Sequence, residues 1–339
     1  MNYVGRGSIE QLSKLLPRGG HVLIFTRQSI YRRFEAQLAP QLADVHTHFF
    51  AEIAPNPTRE EVQAAQDALR GQEYAAIVAF GGGSALDFAK AWRHYEGCTA
   101  PLIAIPTTAG TGSEATQFSV ICIDGAKASI DDPKLLPEEA IVDSQFVENA
   151  PQYLKACCAM DAYCQAIESY WAKRATPASR ELALQAVELC REHLVAAVTT
   201  AEPHANEQLA LAAHLSGRAI NTSRTTAAHA LSYRITSRYD IPHGHAVALC
   251  MPGLFLANLP AIEGLPTLLQ AMGANDGNEA AASLRSMMCT IGLEPGLAKL
   301  GITDLDDIAA SVHPQRLGNN PRLLSHSEMV SLLALSNQG

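Results

Sequence analysis

Positive charge is in short supply in this chain. Its 339 residues hold 25 Lys and Arg against 34 Asp and Glu, a net charge of −9 with histidine neutral. That balance excludes a general nucleic-acid binder, whose phosphate contacts demand a basic footprint. A long uninterrupted apolar run is missing too, so no segment reads as a bilayer-spanning helix, which takes about 18 residues or more. The opening "MNYVGRGSIEQLSKLLPRGG" lacks the charged start and apolar centre of a secretory signal. Eight cysteines occur, never with CxxC spacing, and the adjacent Cys157 and Cys158 suit a structural disulfide poorly. The expectation is reduced, mostly buried thiols in a cytoplasmic protein with no nucleic-acid or membrane partner. What remains is 47% hydrophobic, ordinary for a chain with a real core, and long enough for two domains of about 100–200 residues each.

Over residues 1–150, short apolar runs alternate with helical patterns. "HVLIFT" (21–26), "THFFAEIAP", "AAIVAFGGGS" (75–84) and "PLIAIPTT" (101–108) read as strands, with "SIYRRFEAQLAPQLA" and "TREEVQAAQDALRGQ" as helices between them. This alternation predicts a Rossmann-like α/β domain, a parallel sheet wrapped by helices with a nucleotide at the carboxyl ends of its strands. Near Pro151 the pattern changes. From there to 339 the chain reads as helices broken by turns such as "DIPHG" and "MPGLF", with no period-2 strand. The expected organisation is an α/β domain over 1–150 and an all-α domain over 151–339, packed around a cleft.

Two glycine-containing loops follow strands of the first half. In "AFGGGSALDFAKA" (79–91), Gly81, Gly82 and Gly83 permit a tight turn, and Ser84 is placed to cap the next helix. Free N–H groups and a positive helix end would then suit a phosphate, although a plain helix-capping turn explains the pattern equally well. Neither this stretch nor "GRGSIE" matches GxGxxG. "PTTAGTGSEAT" (106–116) carries more information. Thr111 with Glu114 has the spacing of a capping box, which leaves Thr107 and Thr108 to face a ligand over the sheet edge.

The second half poses a metal question. Asp161 and Gln165 in "MDAYCQAIE" are four apart, on one face of a helix whose surroundings are apolar. A buried carboxylate needs a partner or a cation. His229 lies in the apolar "AAHALSY", and His243 and His245 lie in "DIPHGHAV". One such histidine alone is more often a hydrogen-bonded core residue. With an inward aspartate and a second histidine, a divalent ion acting as a Lewis acid becomes the better reading.

"GGGSALDFAK", "PTTAGTGSEAT", "MDAYCQAIE" and "AHALSYRITSRYDIPHGHAV" resemble, in order and spacing, the iron-containing (group III) alcohol dehydrogenase family. The likeness runs from "GRGSIEQL" to "NNPRLLSHSEMVSLL", and "TTAAHALSY" with "IPHGHAVAL" looks most like the branch of phosphonoacetaldehyde reductases. The resemblance implies the fold shared with dehydroquinate synthase, a homo-oligomer (a dimer), and NAD(P)H-linked interconversion of a small aldehyde and its alcohol. It implies that Gly81, Gly82, Gly83 and Ser84 hold the pyrophosphate, with Asp87 also on the cofactor side. Thr107, Thr108 and Ser113 would line the nicotinamide, Lys127 the ribose, and Ala51, with Glu52 beside it, the position that discriminates NAD from NADP. Asp161, Gln165, His229 and His243 would hold Fe2+, with Zn2+ the alternative ion. Two departures stand out. Many relatives have histidine where this chain has Gln165, and some have histidine where it has Tyr233. Tyr233, a poorer proton shuttle near neutral pH, is then the expected relay for a proton from water; His245 is the substitute, with a capping or packing role as its more ordinary reading.

Four arginines, Arg218, Arg224, Arg234 and Arg238, lie between 214 and 245 against one acid, Asp240. Guanidinium groups suit phosphonate or sulfonate oxygens, and Arg224, just ahead of "TTAAH", is the best placed. The expected reaction is reduction of a small aldehyde, with phosphonoacetaldehyde to 2-hydroxyethylphosphonate, hence phosphonate metabolism, as the specific case. Competing readings are another neutral or sulfonated aldehyde, a dehydroquinate-synthase-like lyase, and a silent metal- or nucleotide-binding relative.

Overall fold

The computed structural model describes residues 1–312 and 317–336; the other seven, all in the expected helical half, lie outside the description. The chain divides into two compact units, Met1–Thr108 with Gly112–Asn149, and Ala109–Thr111 with Ala150–Gly339.

The first unit carries eight strands among its described residues. They are β1 (Asn2–Val4), β2 (His21–Phe25), β3 (His46–Phe50), β4 (Ala76–Gly81), β5 (Leu102–Pro106), β6 (Phe118–Ile123), β7 (Ala126–Asp131) and β8 (Glu139–Val142). Six form a parallel sheet in the order β1-β8-β5-β4-β2-β3. The central strands β4 and β5 are buried along their whole length, as parallel strands covered on both faces must be. Their alternation sorts the core into two layers. Leu23, Phe25, Ile77 and Ala79 face Val62 and Ala65 of α3 (Arg59–Ala68) and Leu86 and Phe88 of α4 (Gly83–Glu96). Val22, Ile24, Val78 and Phe80 face the other way, onto Leu12 of α1 (Leu12–Leu15) and Phe34 and Leu38 of α2 (Gln28–Leu38). Each fully buried Leu, Ile or Phe contributes about 1.5–3 kcal/mol. After β2 the chain runs outward to β3, then returns to form β4 on the opposite side of β2. The carboxyl ends of β2 and β4 therefore flank a topological switch point.

The parallel sheet agrees with the sequence reading, which did not register β1, β8 or the hairpin β6–β7. The hairpin turns at Asp124 (φ 50) and Gly125 (φ 75), the left-handed pair that an Asp-Gly turn supplies.

The second unit is helical throughout its described residues, as expected. It contains α5 (Gln152–Trp171), α6 (Pro177–Thr199), α7 (Pro203–Ser223), α8 (Ala227–Tyr239), α9 (His243–Asn258), α10 (Leu265–Met272), α11 (Gly277–Thr290), α12 (Leu305–Ala310) and a last helix, His326–Leu335. Helix α5 is apolar almost all round and packs against α6, α7 and α9, the pattern of an interior helix. Lys155, Asp161, Gln165 and Glu168 are buried on it nonetheless. Gly244 lets α9 reach α5, because a Cβ there would lie 2.0 Å from the Cys157 carbonyl oxygen and 2.9 Å from Asp161 Cβ. The stretch His243–Ala261 is long and apolar enough to cross a bilayer by length and composition. Its sequence is too interrupted to read as one apolar run, and most of it is buried as a core helix of this unit. All eight cysteines are free thiols.

Candidate functional site

Three side chains from three helices converge in the helical unit. Asp161 of α5, His229 of α8 and His243 at the start of α9 bring their ligand atoms within 4.8 Å of one another. His229 Nε2 lies 3.3 Å and His243 Nε2 3.9 Å from Asp161 Oδ1. Donors sharing one ion at bond lengths near 2.1 Å sit about 3–4 Å apart, so the spacing fits a single cation. The hydrogen bonds behind the ring nitrogens say what the cluster presents. His229 Nδ1 is bonded to a Glu168 carboxylate oxygen, which can only accept, so the proton is on Nδ1 and Nε2 offers its lone pair. The other Glu168 oxygen accepts from Thr226 Oγ1 at 2.6 Å and from the Ala228 N–H at 2.8 Å. Ser232 donates to the His229 carbonyl at 2.8 Å, which leaves its oxygen to accept from His243 Nδ1 at 3.2 Å. Two imidazole lone pairs and a carboxylate oxygen thus face one another. A cation or a proton must sit among them. The His229 pKa reports this demand: burial pulls it down, yet Glu168 and Asp161 together push it up to about 9.

Gln165 is one turn along α5 from Asp161. Its amide nitrogen donates to the Gly110 carbonyl at 3.1 Å and to Ser216 Oγ at 3.3 Å. A carbonyl demands a donor, which assigns nitrogen to that side and leaves the amide oxygen as the possible ligand. Gly110 is itself pressed onto α5, where a Cβ would lie 2.9 Å from Cys158 Cβ.

In the sheet unit, β4 runs into the glycine turn and then α4. Gly82 is the N-cap and no side chain caps the helix. This corrects the expectation for Ser84, which lies inside the first turn and accepts from the Asn56 N–H at 3.3 Å. A Cβ on Gly81 would lie 2.7 Å from Ala85 Cβ, and one on Gly82 would touch Thr108 at 3.4 Å. The backbone N–H groups at this helix end are thus left for an anion. Thr111, expected to open a capping box with Glu114, lies one residue before the cap of the turn that forms. The helical turn there is Ser113–Ala115, with left-handed Gly112 (φ 61) as its N-cap.

Residues 1–144 match the iron-containing alcohol dehydrogenase family, and residues 155–336 match the C-terminal region of the same family. An NAD-dependent methanol dehydrogenase of Bacillus methanolicus is 30% identical over 336 residues, covering 89% of this chain and 88% of the relative. An NADPH-dependent butanol dehydrogenase of Clostridium saccharobutylicum is 32% identical, covering 74% of this chain and 70% of the relative. The crystal structure of a sulfoacetaldehyde reductase from Bifidobacterium kashiwanohense in complex with NAD+ superposes with a TM-score of 0.90 at 29% identity, covering 99% of this chain and 96% of that one. The chain belongs to the iron-containing alcohol dehydrogenase family.

The remaining expected site residues of this alcohol dehydrogenase fall into place unevenly. Tyr233 stacks on the His243 ring, centroids 5.5 Å apart and planes 11° from parallel, beside the cluster. His245 is buried, with Tyr153 Oη 3.1 Å from Nδ1 and the Glu294 carbonyl 2.8 Å from Nε2. Both ring nitrogens are engaged, which agrees with the packing role, its more ordinary reading. Arg224 turns back on its own helix and donates to the Ile220 and Asn221 carbonyls at the end of α7, so in this conformation it caps a helix. Arg234 grips Asp307 with two bonds of 2.6 and 2.7 Å, and Arg238 pairs with Asp304 and Asp307. Two of the four arginines are therefore neutralised by acids some 70 residues further along, which sequence proximity could not show. Arg218 is exposed.

On the cofactor side, Asp87 accepts from Ser113 Oγ at 2.6 Å and from the Val120 N–H at 3.2 Å, binding helix α4 to the loop and to β6. Burial raises its pKa against the pull of Lys90, Ser113, Val120 and Lys127. Lys127 sits on β7 opposite Cys122, Thr107 is buried with its N–H on the Gly81 carbonyl at 2.9 Å, and Ala51 follows β3. Three supporting residues escaped sequence reasoning. Glu168 was signalled by its offset of seven from Asp161, which returns it to the same helix face. Ser232 lies three residues past His229, also one turn on. Lys90, fully buried, donates to Ser113 Oγ at 2.9 Å, to the Thr116 carbonyl at 2.8 Å and to the Phe118 carbonyl at 3.0 Å. Only its place in "LDFAKAW", among residues that must be covered, hinted at it.

Proposed function

We propose that this family member is a metal-dependent, NAD(P)H-linked reductase of a small aldehyde, the reverse reaction being oxidation of the corresponding alcohol. The cluster of Asp161, His229 and His243 carries the reading, because its donor set and spacing suit one divalent ion of the Fe2+ or Zn2+ type. When bound, the metal supplies Lewis-acid polarisation of a carbonyl oxygen and the reduced nicotinamide supplies hydride. The chain's own residues do the rest. Asp161, His229, His243 and the Gln165 amide oxygen hold the ion, while Glu168 and Ser232 fix the two imidazoles with Nε2 turned inward. Tyr233, held flat on His243, is the proton donor to the nascent alkoxide. The glycine turn at 81–83, with Thr107 and Thr108, supports the dinucleotide through its backbone.

Phosphonoacetaldehyde is the finer reading of the substrate. Support comes from the motif resemblance and from similarity to a reductase of another short anionic aldehyde; the arginine cluster does not add to it. The reading also keeps the enzyme cytoplasmic, consistent with eight free thiols, and dimeric, which sedimentation velocity tests. A panel of neutral, phosphonate and sulfonate aldehydes, run with both cofactors and with Fe2+ or Zn2+ at full occupancy, decides the function. Activity on several aldehydes supports it, and silence across the panel with bound metal verified leaves only a non-catalytic relative.

A further inference from the structure

The turn between α7 and α8 adopts a conformation its residue type disfavours. Helix α7 ends at Ser223, and Arg224 follows with φ 64 and ψ 171. That corner of backbone space belongs almost wholly to glycine, because a Cβ crowds the neighbouring peptide there. Four other described non-glycine residues have positive φ, and three of them are Asn or Asp, which tolerate it. An arginine held this way persists only where its surroundings fix it.

A side chain from a distant segment holds it. Asn319 is buried, and its Nδ2 donates to the Ser223 and Thr225 carbonyls, both at 2.9 Å, so one amide straddles Arg224. A carbonyl only accepts, which assigns nitrogen to that side and uses both of its hydrogens. The amide is itself oriented. Its Oδ1 accepts from the Arg174 N–H at 3.2 Å, and the Asn319 carbonyl accepts from the Lys173 N–H at 3.0 Å, just beyond α5. What the turn delivers is the backing of the metal cluster. Thr226, two residues past Arg224, gives Glu168 its N–H at 3.2 Å and its hydroxyl at 2.6 Å, and the Ala228 N–H joins them at 2.8 Å. Trp171 Nε1 donates to Thr226 Oγ1 at 3.0 Å, and Glu168 in turn holds Nδ1 of His229. Relaxation of the turn at Arg224 would carry the Thr226 and Ala228 donors away from Glu168.

We propose that Asn319 is a positioning residue for the metal centre, acting through the strained turn at Arg224 and the Glu168–His229 pair. The inference rests on the reading that Asp161, His229 and His243 bind a metal. Its test measures Fe2+ and Zn2+ affinity by competition against a chelator, together with urea unfolding of the metal-free protein. The variants are Asn319→Ala, Asn319→Asp, Arg224→Gly and the double variant Asn319→Ala with Arg224→Gly. Asn319→Ala should weaken metal binding about tenfold, the low end for a group that supports a ligand. Asn319→Asp should weaken it further, because a carboxylate offers the two carbonyls no hydrogen. Glycine takes the turn's conformation freely, so Arg224→Gly should bind metal within about twofold of the native chain, and the double variant should recover to about the same level. A double variant as weak as Asn319→Ala, or Asn319 variants that unfold at lower urea yet bind metal as the native chain does, would overturn the proposal and leave the metal reading intact. Should Asn319→Ala alone fail to fold, folding and metal binding regained in the double variant support the proposal, and failure of both overturns it. A native chain that retains no metal removes the reading itself, and the proposal with it.

Discussion

The candidate metal cluster and the glycine turn are each suited to a charged group, and they are built of different materials. In the helical unit the work is done by side chains. Asp161, His229 and His243 point their electron pairs at one spot, and Glu168 and Ser232 stand behind them. In the sheet unit it is done by backbone. Gly81 and Gly82 carry no side chain, no side chain caps α4, and the nearby polar side chains Asp87, Ser113 and Lys90 are already bonded to one another. A positive ion calls for anionic and lone-pair donors, which only side chains concentrate. A phosphate calls for N–H groups, which every peptide has, and the obstacle is the side chain that keeps them at a distance.

That contrast can be broken in graded steps. The largest effect is expected from Asp161→Ala. Removing the one carboxylate of the cluster should abolish metal retention and lower kcat/KM by about 1,000-fold or more, while calorimetric dinucleotide affinity stays within a factor of two or so. Retained metal at full stoichiometry would show that the ion lies elsewhere. Glu168→Gln comes next, weakening metal affinity about 10–100-fold because the His229 tautomer loses its carboxylate partner. Competition against a chelator reads this directly. Gly81→Ala tests the other half. Its methyl must displace the Ala85 Cβ now 2.7 Å away, so a rise of about tenfold in KM for the dinucleotide is expected, with metal content unchanged.

Lys90→Met gives the smallest expected effect on turnover and the clearest one on stability, about 1–3 kcal/mol, because buried carbonyls lose their donor. Its pH dependence has a definite sign. Burial lowers the Lys90 pKa from 10.5 to about 8, despite the opposing fields of Asp87 and Glu114. Below pH 8 both folded and unfolded chains carry the proton. Between about 8 and 10.5 the unfolded chain binds it more strongly, so this group's contribution becomes more stabilising as pH rises. The stability difference between the native enzyme and Lys90→Met, followed by urea denaturation, should grow across that window. A flat difference would mean the ammonium is not desolvated as the structure shows it.

Legibility in the sequence followed the same division. Asp161 and Gln165 could be placed on one face from their spacing alone, and His229 stood out in apolar company, with His243 in a turn after Pro242. Helical periodicity is a local property, so it survives without coordinates. Glu168 was equally local and was missed because an offset of seven was not followed. The arginines illustrate the opposite case. Their partners Asp304 and Asp307 lie at the N-cap and in the first turn of α12, and nothing near Arg234 or Arg238 in sequence announces them. The parallel sheet could be foreseen from alternating elements, yet β1, β8 and the hairpin were too short or too mixed in composition to stand out. Ser84 was misassigned by two residues of helix boundary, within the one or two by which helix ends are commonly misjudged.

The residue types, their spacing along helices and the alternation of strand and helix are written in the chain itself. They determine the fold class, the glycine turn and the chemistry of the metal donors. Which strand lies beside β4 was settled only by the folded sheet. The reason is that strand pairing joins segments far apart in sequence, through backbone bonds that any residue can make, so composition records no trace of the partner chosen.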